Sequence, residues 1–143
     1  MFRRFCLLSL MLLSLNVFAG PEPTRFGDLV VYHNVFNSTM LQPEIAANAG
    51  LKRGPTHGVL NVAVQRPDGS AVDAILKGEV RSLIGQPVAL DFKRIQEDDA
   101  IYFVANYTAT QRGVLLFKVD IQSAEGSMMH SLSFQQEFFP DDQ

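Results

Sequence analysis

The chain has 143 residues, with 12 basic and 15 acidic side chains and a formal net charge of −3. Apolar types make up 47% and charged types 19%, the balance of one globular domain with a normal core rather than a disordered or multidomain chain. The mild acidity, without long runs of like charge, makes nucleic acid and anionic membrane surfaces poor partners.

The N-terminus shortens the working molecule. Arg3 and Arg4 form a positive leader, and residues 5–15 are apolar apart from two serines. That run suits the apolar segment of a signal peptide and is too short to span a bilayer. Val17 and Ala19 provide small side chains at the −3 and −1 positions of a cleavage site. Residues 1–19 are therefore expected to be a cleavable signal peptide, and residues 20–143 a single β-sandwich domain. An uncleaved anchor helix is the alternative. Cleavage leaves 124 residues with charge −5 and removes Cys6, the one cysteine. Cys6 lies inside the apolar run rather than at its end, which argues against a lipid anchor. A thiol-free exported chain of this size can bury roughly two thirds of its unfolded surface and needs no disulfide. Periplasmic localisation follows as the expectation, with no membrane insertion after cleavage.

After an extended leader at residues 20–24, residues 26–36 alternate as a strand. Val30, Tyr32, Asn34 and Phe36 share one face, and Leu29, Val31, His33 and Val35 the other. Both faces are largely apolar, so the strand is expected to be covered on two sides or to lie along a partner. Residues 43–50 predict a short helix: Pro43 suits its first turn, Glu44 the positive end, and Gly50 a left-handed stop. Thr39 or Gln42 would precede it as the cap, Gln42 being the weak choice.

Residues 59–66 and 71–81 read as strands joined by Pro67-Asp68-Gly69-Ser70, a turn in which Pro presets φ and Gly tolerates positive φ. The pair predicts a hairpin. Further strands are expected at 88–93, 100–110 and 115–121 and in the last run, where Leu132, Phe134 and Phe138 point inward. The whole predicts an all-β fold: a seven-stranded antiparallel immunoglobulin-like β-sandwich with one short helix between the first two strands. A closed barrel is the second choice.

The thiol-free chain has no nucleophile elbow, no H-E-x-x-H helix and no glycine loop of the phosphate-cradling kind, so no enzyme is expected. Met128, His130 and His33 offer thioether and imidazole ligands of the kind that hold soft metals. Ordinary core packing at a strand start accounts for the same residues, and no cofactor is assigned. Glu97-Asp98-Asp99 lacks the alternating oxygen-ligand spacing of a calcium loop and reads as a solvated turn.

The most distinctive stretch is Tyr32-His33-Asn34-Val35-Phe36-Asn37-Ser38-Thr39. Its short polar side chains can bond to local backbone and shape the turn into the helix. Aromatic and amide side chains on a rigid strand edge also make a recognition surface. Tyr32, Asn34 and Asn37, with Arg53 as a positive rim, are the expected partner contacts.

Together with Pro43-Glu44-Ile45-Ala46, Leu60-Asn61-Val62-Ala63-Val64 and Ala100-Ile101-Tyr102-Phe103, that stretch resembles an uncharacterised family of small exported proteins of Gram-negative proteobacteria, a domain of unknown function. The resemblance covers nearly the whole chain after the leader. It implies a periplasmic single domain and carries no activity or catalytic residue across. Asn48-Ala49-Gly50 departs from the family, which has an aromatic after the helix. The functional expectation is a non-catalytic periplasmic binding or accessory module that contacts another protein of the cell envelope. Soft-metal binding of the copper type is the alternative.

Overall fold

A computed structural model describes residues 22–140. The expected signal peptide lies outside the described residues. The elements in chain order are β1 (Thr24–Phe26), β2 (Leu29–Asn37), a 3-10 turn (Ser38–Met40), α1 (Pro43–Ala49), β3 (His57–Gln65), β4 (Ala74–Ser82), β5 (Val88–Leu90), β6 (Lys93–Glu97), β7 (Ala100–Thr108), β8 (Gly113–Ser123) and β9 (Met129–Phe138). They form two antiparallel sheets, β1-β2-β3-β7-β6 and β5-β4-β8-β9. An all-β sandwich is therefore correct, with the helix between β2 and β3 as expected. The strands number nine, not seven.

Two of the expected runs break in two. In the first, Gly27 takes φ 58° and turns the chain back, so that Thr24 pairs with Val31 and Phe26 with Leu29. Only glycine adopts that conformation readily. In the run at 88–93, Val88–Leu90 pairs with β4, and Lys93–Glu97 pairs with β7 in the opposite sheet. The crossover residue Phe92 packs against the core. Gly78 makes room for it, because a Cβ there would stand 3.1 Å from the Phe92 ring and 2.9 Å from the Lys118 carbonyl oxygen.

The expected hairpin between residues 59–66 and 71–81 does not form. The two strands share one bridge, Gln65 to Ala71, and one hydrogen bond from the Val72 N–H to the Val64 carbonyl at 2.8 Å. The chain then passes to the other sheet. Both edges of β3 are already occupied by β2 and β7, so β4 has nowhere to add beside it. The turn itself is as read: Gly69 has φ 92°, and Asp68 Oδ1 accepts hydrogen bonds from Ser70 N and Oγ.

The core lies between the sheets. Val31, Leu60, Val62 and Val64 from one side meet Val80, Phe117, Val119 and Ile121 from the other, all buried. Their alternation with polar residues puts apolar side chains on the inner faces. On the outer face of the second sheet, Lys77 stands opposite Asp120 and Glu79 opposite Lys118, pairs of opposite charge that favour this register. The helix is short and ends as expected, with Gly50 at φ 70° and Leu51 N–H bonded to Ala46 O. Its N-cap, Gln42, makes no side-chain cap bond. The segment after it crosses the outer face of the first sheet. Asn106 of β7 clamps it by accepting from Lys52 N–H at 2.6 Å and donating to Lys52 O at 3.1 Å. Val59 and Val104, on the same outer face as Asn106, are buried as well.

Candidate functional site

Past Val31, β2 loses its outer neighbour. β1 pairs only with Leu29 to Val31, and the residue that would continue it opposite Tyr32 is Pro23, which has no N–H to give. Residues 32–36 therefore have β3 on one side and, among the described residues, no strand on the other. None of these five residues is charged, so the edge lacks the Lys or Glu that usually blunts such a strand.

This edge faces β9, the outer strand of the second sheet. Three contacts close the seam. Phe26 stacks on His130 with centroids 4.9 Å apart, and His33 stacks on Phe134 at 4.0 Å. Asn37 Nδ2 donates to the Phe139 carbonyl at 2.9 Å. The aromatic contact continues inward, since Phe134 stacks on Phe117 at 5.0 Å and Tyr107 meets the Phe117 ring edge-on at 5.3 Å. Burial pushes the Tyr107 phenol up to about 12, so it stays neutral and acts as a packing ring.

At the end of the seam the sheets part and leave a cleft of about 670 Å³. Its apolar walls are Val35, Phe36, Met40, Leu41, Phe138 and Phe139, and Asn34, Gln136 and Glu137 supply polar groups. Arg112 lies over the Phe139 ring at 4.7 Å, with its Nε 3.9 Å from a Glu137 carboxylate oxygen.

The four residues expected as contacts fall into two groups. Tyr32 and Asn34 are exposed on the outer face of the open edge, opposite Ala63 and Asn61. Asn37 ties the end of the same strand to the Phe139 carbonyl across the seam. Arg53 serves the neighbouring turn, donating from Nε to Leu41 O at 2.8 Å and from Nη2 to Thr39 O at 3.1 Å. Ser38, fully buried, both accepts from Gly54 N–H and donates to Gly54 O, which fixes the same turn. The sequence reading did not identify the cleft walls Met40, Leu41 and Phe139. The one sequence signal for Phe139 is that it follows Phe138, so one of two adjacent aromatics must point away from the core.

His33 is the half-buried imidazole of the seam. Its Nδ1 is buried without a hydrogen-bond partner, and burial lowers its pKa below 6.5. The unfolded chain then binds the proton more readily than the folded one. Stability is expected to be fully present above pH 6.5 and to fall as the pH drops through and below that value. Thermal melts across this range check it: His33→Phe should flatten the dependence, and an unchanged slope would refute the assignment.

Soft-metal ligation finds little support in the geometry. The imidazoles of His33 and His130 are stacked on phenyl rings, and Met128 and Met129 are exposed. Among the described residues no three His, Cys, Asp or Glu side chains gather as a metal ion requires.

Two antiparallel sheets with an apolar cleft at one end define a small β-sandwich module. The chain belongs to the DUF4426 family, a domain of unknown function, whose model matches residues 23–141. It is similar to a DUF4426 family protein of Pseudomonas aeruginosa PAO1, with 39% identity, a TM-score of 0.78, and coverage of 87% of this chain and 99% of that one. FetP of uropathogenic Escherichia coli strain F11, expressed in the periplasm of E. coli, shares the fold at 11% identity and TM-score 0.64, covering 87% of this chain and 96% of that one. A copper-bound FetP variant gives 11% and 0.63, with 85% and 96% covered. No curated protein matches the sequence. Among the described residues no helix is long and apolar enough to cross a membrane.

Proposed function

We propose that the protein is a non-catalytic binding or accessory module of the periplasm that takes an extended segment of another envelope protein along the open edge of β2. The observation that carries this is the uncharged run at residues 32–36, which among the described residues has a strand on one side only, with an apolar cleft at its end. An incoming strand would gain main-chain hydrogen bonds from the edge and place an apolar side chain in the cleft. Tyr32 and Asn34 would flank it, while Asn37 and Arg53 hold the end of β2 and the turn in position. The periplasmic assignment draws on the N-terminal charge, apolar run and small residues. We also take the sandwich as immunoglobulin-like, since β2-β3-β7-β6 over β5-β4-β8-β9 follows the order A-B-E-D over C′-C-F-G.

Photo-crosslinking side chains placed at Tyr32 and Asn34 in the cell are expected to trap a discrete adduct with a different protein. The same probes at Lys77 and Ser131, on the outer face of the other sheet, should trap none. Phe139→Glu, which puts a charge in the cleft, should weaken the adduct about tenfold. No adduct from either edge position in a folded protein would sink the proposal.

The second reading, copper-type binding, draws on the fold shared with copper-bound FetP. Under the leading reading copper(I) leaves the melting temperature unchanged, and a saturable rise lost on His130→Phe would reverse the order of the two.

A further inference from the structure

The end of the sandwich that carries the cleft also carries an apolar projection. β4 ends at Ser82 opposite Leu115, Gly113 stands opposite Phe138, and Asn37 reaches Phe139, so β2, β4 and β9 all finish at this end. The loop leaving β4 bears Leu83 and Ile84, 64% and 99% exposed, and Val88 beyond it is 63% exposed. By the sheet order the loop stands at the β4–β5 side of this end, and the cleft at the β2–β9 side.

We propose that a second copy of this chain covers this end, forming a two-fold dimer in which the Leu83-Ile84 tip of each copy enters the cleft of the other. A two-fold axis perpendicular to the sheets exchanges the two sides of the end and turns the copies head to head. It therefore makes the tip-in-cleft contact twice, as a closed isologous interface requires. The charges agree. Arg81 stands beside the tip and Glu137 beside the cleft, both on the outer face of the second sheet. The same rotation brings Arg81 of one copy toward Glu137 of the other. The opposite end carries Asp28, Asp68, Asp98 and Asp99 in its turns, and head-to-head pairing keeps these acidic ends far apart. The tip takes the same cleft that the proposed envelope partner would use, so dimer and partner exclude each other there.

Sedimentation equilibrium of the purified protein over a concentration series tests it. The wild type is expected to be a concentration-dependent dimer. Ile84→Lys and Met40→Glu, both at exposed positions, should each weaken it by at least about tenfold. An equimolar mixture of the two variants should restore dimers. One interface then pairs the new lysine with the new glutamate, and the other is wild type at both contacts. Restoration by mixing cannot arise from a folding defect. A wild type that stays monomeric overturns the proposal, as does a dimer indifferent to both variants. Binding of a monomeric wild type to phosphatidylglycerol vesicles, lost on Ile84→Lys, overturns it in favour of a lipid surface. A crosslinked adduct of twice the chain mass from position 34 supports the dimer, whereas an adduct of another mass reports the envelope partner.

Discussion

Phe117→Ala is expected to destabilise the protein by about 3–5 kcal/mol, the range for removing a fully buried phenyl ring. Phe117 is 2% exposed, and two rings pack directly on it. Phe134 stacks on it with planes 9° apart, Tyr107 meets it edge-on, and Phe134 in turn carries His33. The vacancy left by alanine is walled by rings from both sheets, whose backbones are held by strand pairing, so collapse can fill little of it. A melting temperature lower by roughly 10–20 °C is the corresponding reading. Phe117→Leu should recover most of the loss, because it restores volume without the stacking. If alanine costs less than about 1 kcal/mol, the sheets are not held together through this column.

Gly58→Ala is expected to cost about 1–3 kcal/mol, though it adds a single methyl group. Gly58 lies directly across from Tyr107, and the tyrosine ring covers the place where a side chain would stand. A Cβ there would come within 2.1 Å of Tyr107 Cζ and 2.3 Å of its hydroxyl oxygen. The ring cannot simply swing aside, since Phe117 and Phe138 hold its flanks with centroids 5.3 and 5.9 Å away. Aromatic cover of a strand glycine is a known device for keeping a glycine inside a sheet. A double-mutant cycle isolates the effect: in a Tyr107→Leu background, Gly58→Ala should cost clearly less than in the wild type. Equal costs in both backgrounds would mean that the glycine is needed for its backbone and not for the ring.

The two variants act at different distances from the cleft. Tyr107 lies at its floor, so Gly58→Ala should also disturb partner capture and dimer formation. Phe117 sits deeper, and its loss should lower stability first. Measuring adduct yield and melting temperature together separates the two.

Much of this was legible along the chain. The period-two alternation placed nearly every core side chain, because burial on one face of a strand leaves a local mark. Pro43, Glu44 and Gly50 marked the helix, and Asp68 and Gly69 a turn, through backbone preferences that depend on few neighbours. Tyr32, Asn34 and Asn37 were identified together because they share one strand. Pro23, read as part of a leader, contained the reason for the open edge, but that reason exists only once β1 has folded back on β2.

What only the tertiary structure decided was which strand lies beside which. Residues 59–66 and 71–81 carry the pattern of a hairpin, yet β3 has both neighbours taken, so β4 must build the other sheet. Alternation reports which face is buried and is silent about the sheet that buries it. The same limit hid the switch at Phe92, where one apolar run serves two sheets. It also hid the cleft, whose walls come from β2, the turn after it and the far end of β9. The sequence by itself determined an all-β chain with a distinctive uncharged strand. The tertiary structure made that strand an open edge, because pairing and packing depend on contacts between residues a hundred positions apart.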